Sequence, residues 1–199
     1  MHRAVLAAGL LALLSCTTPP PRQPPPLRES VQADWSYAAY LLYTDDPTTA
    51  QLYLERAAAL GIDSLPNQAQ FFRDLSEARL FAGDSAGAAA AARTSRERLA
   101  VQPRTAQFQA DDRRLFERVL DALESAGSGD LEDLARLTQT GDVPPSADAW
   151  YLLGWLREQH GELAAARDAY RLYLAAAPQW SFLRAGPGMR RHAQSVLAS

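Results

Sequence analysis

The chain has 199 residues, enough for one domain or a short repeat array, and its 20 basic and 23 acidic side chains leave a formal net charge of −3, which argues against a generic nucleic-acid binder. Ala (38) and Leu (29) dominate while Ile (1) and Val (6) are scarce, so the composition favours helices over strands. Every basic residue is Arg, which removes any Walker A or Schiff-base lysine, and the lone Cys16 rules out an intrachain disulfide or a Cys-rich zinc site.

Residues 1–15 read as an address. His2 and Arg3 precede an uncharged apolar run from Ala4 to Leu14, too short to span a bilayer as a helix but of signal-peptide length. The run ends Leu13-Leu14-Ser15-Cys16. This resembles the lipobox of bacterial lipoproteins, with Leu14 standing where a smaller residue is more usual. The resemblance implies cleavage before Cys16 and acylation of its thiol and new amine. Thr17, in place of the Asp that favours inner-membrane retention, implies the outer membrane, periplasmic face. Thr17 to Glu29 contains two Pro triplets, Pro19-Pro20-Pro21 and Pro24-Pro25-Pro26. Such a tract favours polyproline II at about 3.1 Å per residue, a spacer of roughly 40 Å between lipid and domain.

From residue 30 the punctuation predicts helical hairpins. Ser30 opens a helix to Tyr43. Asp46-Pro47 caps one that stops at Gly61, Pro66 opens one to Gly83, and Asp84 or Ser85 starts one closed by Pro103. Thr105 begins a longer helix ending before Gly127, and Asp130 caps a short one ending before Gly141. Ser146 caps a helix to His160, Glu162 starts another ending before Pro178, and Gly186-Pro187 opens a terminal helix to Ala198. Short turns between helices make neighbours antiparallel.

The clearest repeat is Trp150-x-x-Leu153-Gly154, then Gly161, Ala166-x-x-x-Tyr170 and Pro178. It resembles a tetratricopeptide repeat over residues 147–180, with Arg157 departing from the usual aromatic. Small Gly154 and Ala166 let the two helices approach; Trp150, Leu153 and Tyr170 fill the layer between them. Phe72, Leu75, Ser76, Gly83 and Ala88 follow the same spacing more loosely, and the turn glycines Gly83, Gly129 and Gly161 are unevenly spaced. The expected fold is all-α: hairpins stacked as a short TPR-like α-solenoid from residue 30 to 199, with a C-terminal capping helix.

Sites of covalent chemistry are not visible. There is no G-x-S-x-G, H-E-x-x-H or Gly-rich phosphate loop, and His160 and His192 have no neighbours at ligand spacing. No catalytic residue, metal or cofactor is therefore expected. Adjacent acids at Asp45-Asp46 and Asp111-Asp112 suit helix starts. The Arg clusters (Arg93, Arg96 and Arg98; Arg113-Arg114; Arg190-Arg191) read as solvated faces or as contacts for an anionic lipid, polymer or acidic partner. Tyr151 and Trp155, four apart, share a helix face offset from Trp150 and Leu153. In tetratricopeptide arrays that face lines a peptide-receiving groove, and by the same alignment Arg73 and Glu77 line it one hairpin earlier. The alternative is that Tyr151 and Trp155 pack on a neighbouring hairpin or beneath the terminal helix.

The expected function is an envelope scaffold, lipid-anchored at Cys16, that binds a segment of another envelope protein and no nucleic acid. A wall-polymer enzyme would be favoured by a groove holding two carboxylates, one with a strongly raised pKa. A purely structural bundle would be favoured by an exposed apolar patch away from the groove.

Overall fold

A computed structural model describes residues 27–101, 110–139, 147–176 and 183–199, and among them there are nine helices and no strand. The lipobox, Cys16, the Pro triplets, Pro103, Ser146 and Pro178 lie outside the described residues. The helices are α1 (Leu27–Tyr43), α2 (Pro47–Leu60), α3 (Gln68–Phe81), α4 (Ser85–Val101), α5 (Ala110–Ser128), α6 (Leu131–Leu137), α7 (Ala147–Gln159), α8 (Leu163–Ala175) and α9 (Gly186–Ala198). None is long and apolar enough to cross a membrane.

Their ends follow local chemistry. Asp46 Oδ1 accepts from Thr49 N at 3.1 Å and Pro47 supplies the first helical φ of α2. Asp84 Oδ1 accepts from Gly87 N at 2.9 Å, so Asp84 caps α4, and Asp130 Oδ1 accepts from Asp133 N at 2.9 Å to cap α6. Gly161 turns α7 into α8 with φ 78°, a left-handed conformation that costs an L side chain energy. Several boundaries differ from the sequence reading: helix α3 begins at Gln68, two residues after Pro66, and helix α6 ends at Leu137, well before Gly141. Helix α1 begins at Leu27, inside the segment expected to be spacer. Helix α5 runs through Gly127 rather than ending before it. Gly127 serves packing instead of termination: a Cβ there would lie 2.7 Å from the Ser85 carbonyl oxygen and 2.8 Å from Ala89 N.

Consecutive helices pair as hairpins α1–α2, α3–α4, α5–α6 and α7–α8. Between hairpins, α2 packs on α3, α4 on α5 and α6 on α7, while α1, α3, α5 and α7 also meet in succession. Odd-numbered helices thus form one layer, and the even-numbered helices flank it. The apolar interior is spread along the stack. One cluster joins α1 to α4 through Leu42, Leu54 and Phe71, and another joins the later hairpins through Leu123, Leu153 and Tyr170. Ala69, Leu99, Phe116 and Leu120 form a small core between them.

Close approach is built into both well-ordered hairpins. In α7–α8, a Cβ on Gly154 would sit 2.8 Å from the Tyr170 ring, so the ring occupies the space a side chain would need. In α3–α4, Ser76 is fully buried and its Oγ donates to the Ala88 carbonyl at 2.9 Å, while Ser95 Oγ donates to the Ala69 carbonyl at 2.6 Å. Small residues bring the helices together, and their hydroxyls find backbone acceptors that keep burial inexpensive.

The last helix does more than extend the stack. Helix α9 packs on α8 and also reaches α1, so it links the final hairpin with the first.

Candidate functional site: the trough beneath the terminal helix

Glu77 of α3, Tyr151 of α7 and Asp45 of the α1–α2 turn meet α9 and its entry on the side of the odd-numbered helices, which together make the trough in which α9 lies. The first turn of α9 has a chemical deficit. Its N-cap is Ala185, which has no side-chain oxygen, and Pro187 follows within the first turn. A carboxyl from α3 holds the backbone just ahead of that turn. Glu77 Oε1 accepts from Ala185 N at 2.6 Å, and Oε2 accepts from Arg184 N at 3.0 Å. A carboxylate at this end also meets the positive end of the helix dipole. Glu77 is fully buried, so the seal between α3 and α9 is closed to water.

Charges surround that contact. Asp74, one residue row away on α3, is also fully buried and accepts from Trp35 Nε1 at 2.8 Å and Arg73 Nε at 2.9 Å. Arg184 Nε stands 3.6 Å from Asp74 Oδ2. Burial on its own would depress the Arg73 guanidinium, but Asp74 and Glu77 outweigh it, and its pKa is raised. Arg73 also lies over the Phe116 ring, 5.6 Å from its centroid. Burial pushes the Glu77 carboxyl up to about 8, with Asp74 adding to the shift and Arg73 and the two backbone donors opposing it.

Further along α9, a polar chain connects it to α7 and α8. Tyr151 Oη and His192 Nδ1 are 3.0 Å apart, His192 Nε2 is 3.3 Å from Glu158 Oε2, and Tyr170 Oη donates to that same oxygen at 2.7 Å. His192 thus bridges the Tyr151 hydroxyl and the Glu158 carboxylate through its two ring nitrogens. Burial raises the pKa of both tyrosines, and the Glu158 hydrogen bond adds to the rise at Tyr170. At the α1–α2 turn, Gly188 lets α9 approach Asp45, since a Cβ there would fall 2.5 Å from the Asp45 carboxylate. Arg191 Nη2 reaches that carboxylate at 3.5 Å.

These contacts correct the sequence reading of the groove. Arg73, Glu77 and Tyr151 do gather on the trough side, but all three are buried, with 3%, 0% and 4% of their surface exposed. In this conformation they are not open to an outside partner, because α9 and neighbouring helices cover them. Trp155 is partly exposed and packs edge-on against Phe81, ring centroids 6.0 Å apart. Trp150, expected in the layer between helices, is only partly buried. Leu153, Ala166 and Tyr170 are buried as expected. Gly186-Pro187 opens α9 as expected. Sequence reasoning missed Asp74, Asp45 and Glu158 as partners. Their signal was weak, since each is an acid on a helix or turn, where acids are common.

The Arg clusters separate into two kinds. Arg96 pairs with Asp121 and Glu124, Arg93 with Glu124 and Arg113 with Glu117, all on α5. Those cations knit α4 to α5 or brace α5. Arg190, by contrast, lines an open cleft. Among the described residues no group of three or more His, Cys, Asp or Glu is arranged to hold a metal ion.

No family model matches this chain, and no curated protein or solved structure matches it.

Proposed function

We propose that the chain is a lipid-anchored scaffold of the bacterial envelope that works by binding a helical segment, without covalent chemistry. The observation that carries this reading is the trough itself. Its acidic and aromatic lining already holds a helix, α9, through a backbone-directed grip at Glu77. Recognition of backbone amides at a helix start does not depend on the side chains of that helix, so the same device suits a segment of another protein. The stacked hairpins support the resemblance to tetratricopeptide proteins, and the unique Cys16 at the end of an apolar run supports the anchor on the outer membrane.

Two experiments test the parts separately. Membrane fractionation of Cys16→Ser should move the protein to the soluble fraction; unchanged fractionation would remove the anchor. Crosslinking in intact cells should recover an envelope protein through positions facing the trough, such as Trp155. Recovery only through the even-numbered helices would remove the trough as the binding face.

One observation favours a second reading, an enzyme acting on wall polymer. Asp74 and Glu77 are neighbouring carboxyls in a trough, and one of them has a strongly raised pKa. Against it, neither carboxyl is exposed and both Glu77 oxygens are occupied by backbone donors. A substrate would reach them only after α9 had left. A structural role in a larger complex has its own support in the first hairpin, where Tyr37, Tyr40 and Leu52 are exposed at 45%, 59% and 63%.

A further inference from the structure

Beside the first turn of α9 lies a cleft of about 450 Å³, a size typical of small-molecule sites. Its walls are mostly apolar, formed by Tyr43 of α1, Tyr173 of α8, and Leu183 and Pro187 at the α9 start. Two guanidinium groups, Arg184 and Arg190, complete it, and among the described residues no carboxylate belongs to the lining. That is an unusual place in an acidic chain. Arg184 leans on Asp74 at 3.6 Å. No carboxylate of the described residues lies within ion-pairing distance of Arg190, whereas Arg191 beside it has Asp45. Tyr173 Oη donates to the Gly186 carbonyl at 3.3 Å, which fixes its ring as a wall.

The geometry points to a binding site for an amphiphilic anion, with a carboxylate head on Arg190 and an apolar body between Tyr43, Tyr173 and Leu183. The residues explain both halves of the ligand. A guanidinium prefers a planar carboxylate and can bind it through two parallel N–H donors. The wall offers rings and aliphatic carbon, so a polar body would lose its water without replacement. This inference stands apart from the scaffold reading, because it concerns a cleft that α9 itself completes.

The test is calorimetric titration of the full chain with decanoate, kept below its micelle concentration, with decanol and acetate as comparison probes. Saturable one-to-one binding of decanoate is expected, with decanol and acetate both much weaker. Arg190→Ser should weaken decanoate binding roughly tenfold to hundredfold, the scale of a lost charged hydrogen bond. Arg190→Lys, which keeps the charge but not the paired donors, should bind decanoate more weakly than the wild type and more tightly than Arg190→Ser, and Arg190→Gln, which keeps the stem, should repeat the loss seen with Ser. Absence of saturable binding would overturn the assignment. So would equal affinity for decanol, or unchanged affinity in both Arg190→Ser and Arg190→Gln.

Discussion

Glu77 Oε1 and Ala185 N are 108 residues apart in the chain and 2.6 Å apart in space. This contact decides what the trough is: a carboxyl from the second hairpin holds the backbone that enters the terminal helix. Replacing Glu77 with Ala leaves the backbone donors of Arg184 and Ala185 without their acceptor. The expected cost is about 2–3 kcal/mol, read as a lower denaturation midpoint. Trypsin should also cut sooner after Arg184, Arg190 and Arg191, while sites in α4 and α5 keep wild-type rates. Equal acceleration at all sites would mean that the loss is global and not centred on α9.

The same carboxyl makes stability depend on pH. Its pKa rises from 4.5 when free to about 8 in the folded chain. A raised pKa means the folded state holds the proton more tightly than the unfolded state. The contribution is therefore complete below about pH 4.5, falls as pH rises toward about 8, and is level above that. Comparing urea midpoints of wild type and Glu77→Gln across pH 4 to 9 should show that slope only in the wild type. Parallel pH curves would show that Glu77 does not titrate in this range.

Asp74 holds three partners from three segments: Trp35, Arg73 and Arg184. Asp74→Ala should cost about 3–5 kcal/mol, because Arg73 would remain buried with its closest acceptor gone. Indole emission should change together with stability, since Trp35 loses its acceptor. A loss below about 1 kcal/mol would mean that water or Glu77 takes over from Asp74.

Gly154 and Tyr170 share one space between α7 and α8. Gly154→Ala should destabilise by about 1–3 kcal/mol through overpacking. In a Tyr170→Leu background the same substitution should cost clearly less, because the obstructing ring is gone. Equal costs in the two backgrounds would place the obstruction elsewhere.

Much of the fold was legible because its signals are local. Asp46-Pro47, Asp84, Asp130 and Gly161 mark helix ends through chemistry within four residues, and the structure uses each of them there. Gly127 misled because a glycine that permits helix contact looks the same as one that ends a helix; only the neighbour, Ser85 and Ala89 on α4, tells them apart. The trough was legible in part. The tetratricopeptide alignment put Arg73, Glu77 and Tyr151 on one side and read that side as an open groove. What covers them is α9 together with neighbouring helices, and nothing in the local sequence of α3 or α7 encodes a helix that returns from the far end of the chain. Pairing of Tyr151 with His192 is equally long-range, 41 residues apart.

Hydrogen exchange at residue resolution tests the docked terminal helix most directly. The amides of Arg184 and Ala185, and those of the buried α9 positions Met189 and Ala193, should exchange slowly, as slowly as amides of α7. In Glu77→Ala those four should speed up while α3 and α4 stay protected. Fast exchange throughout α9 in the wild-type chain, with α1 to α8 still protected, would contradict the account.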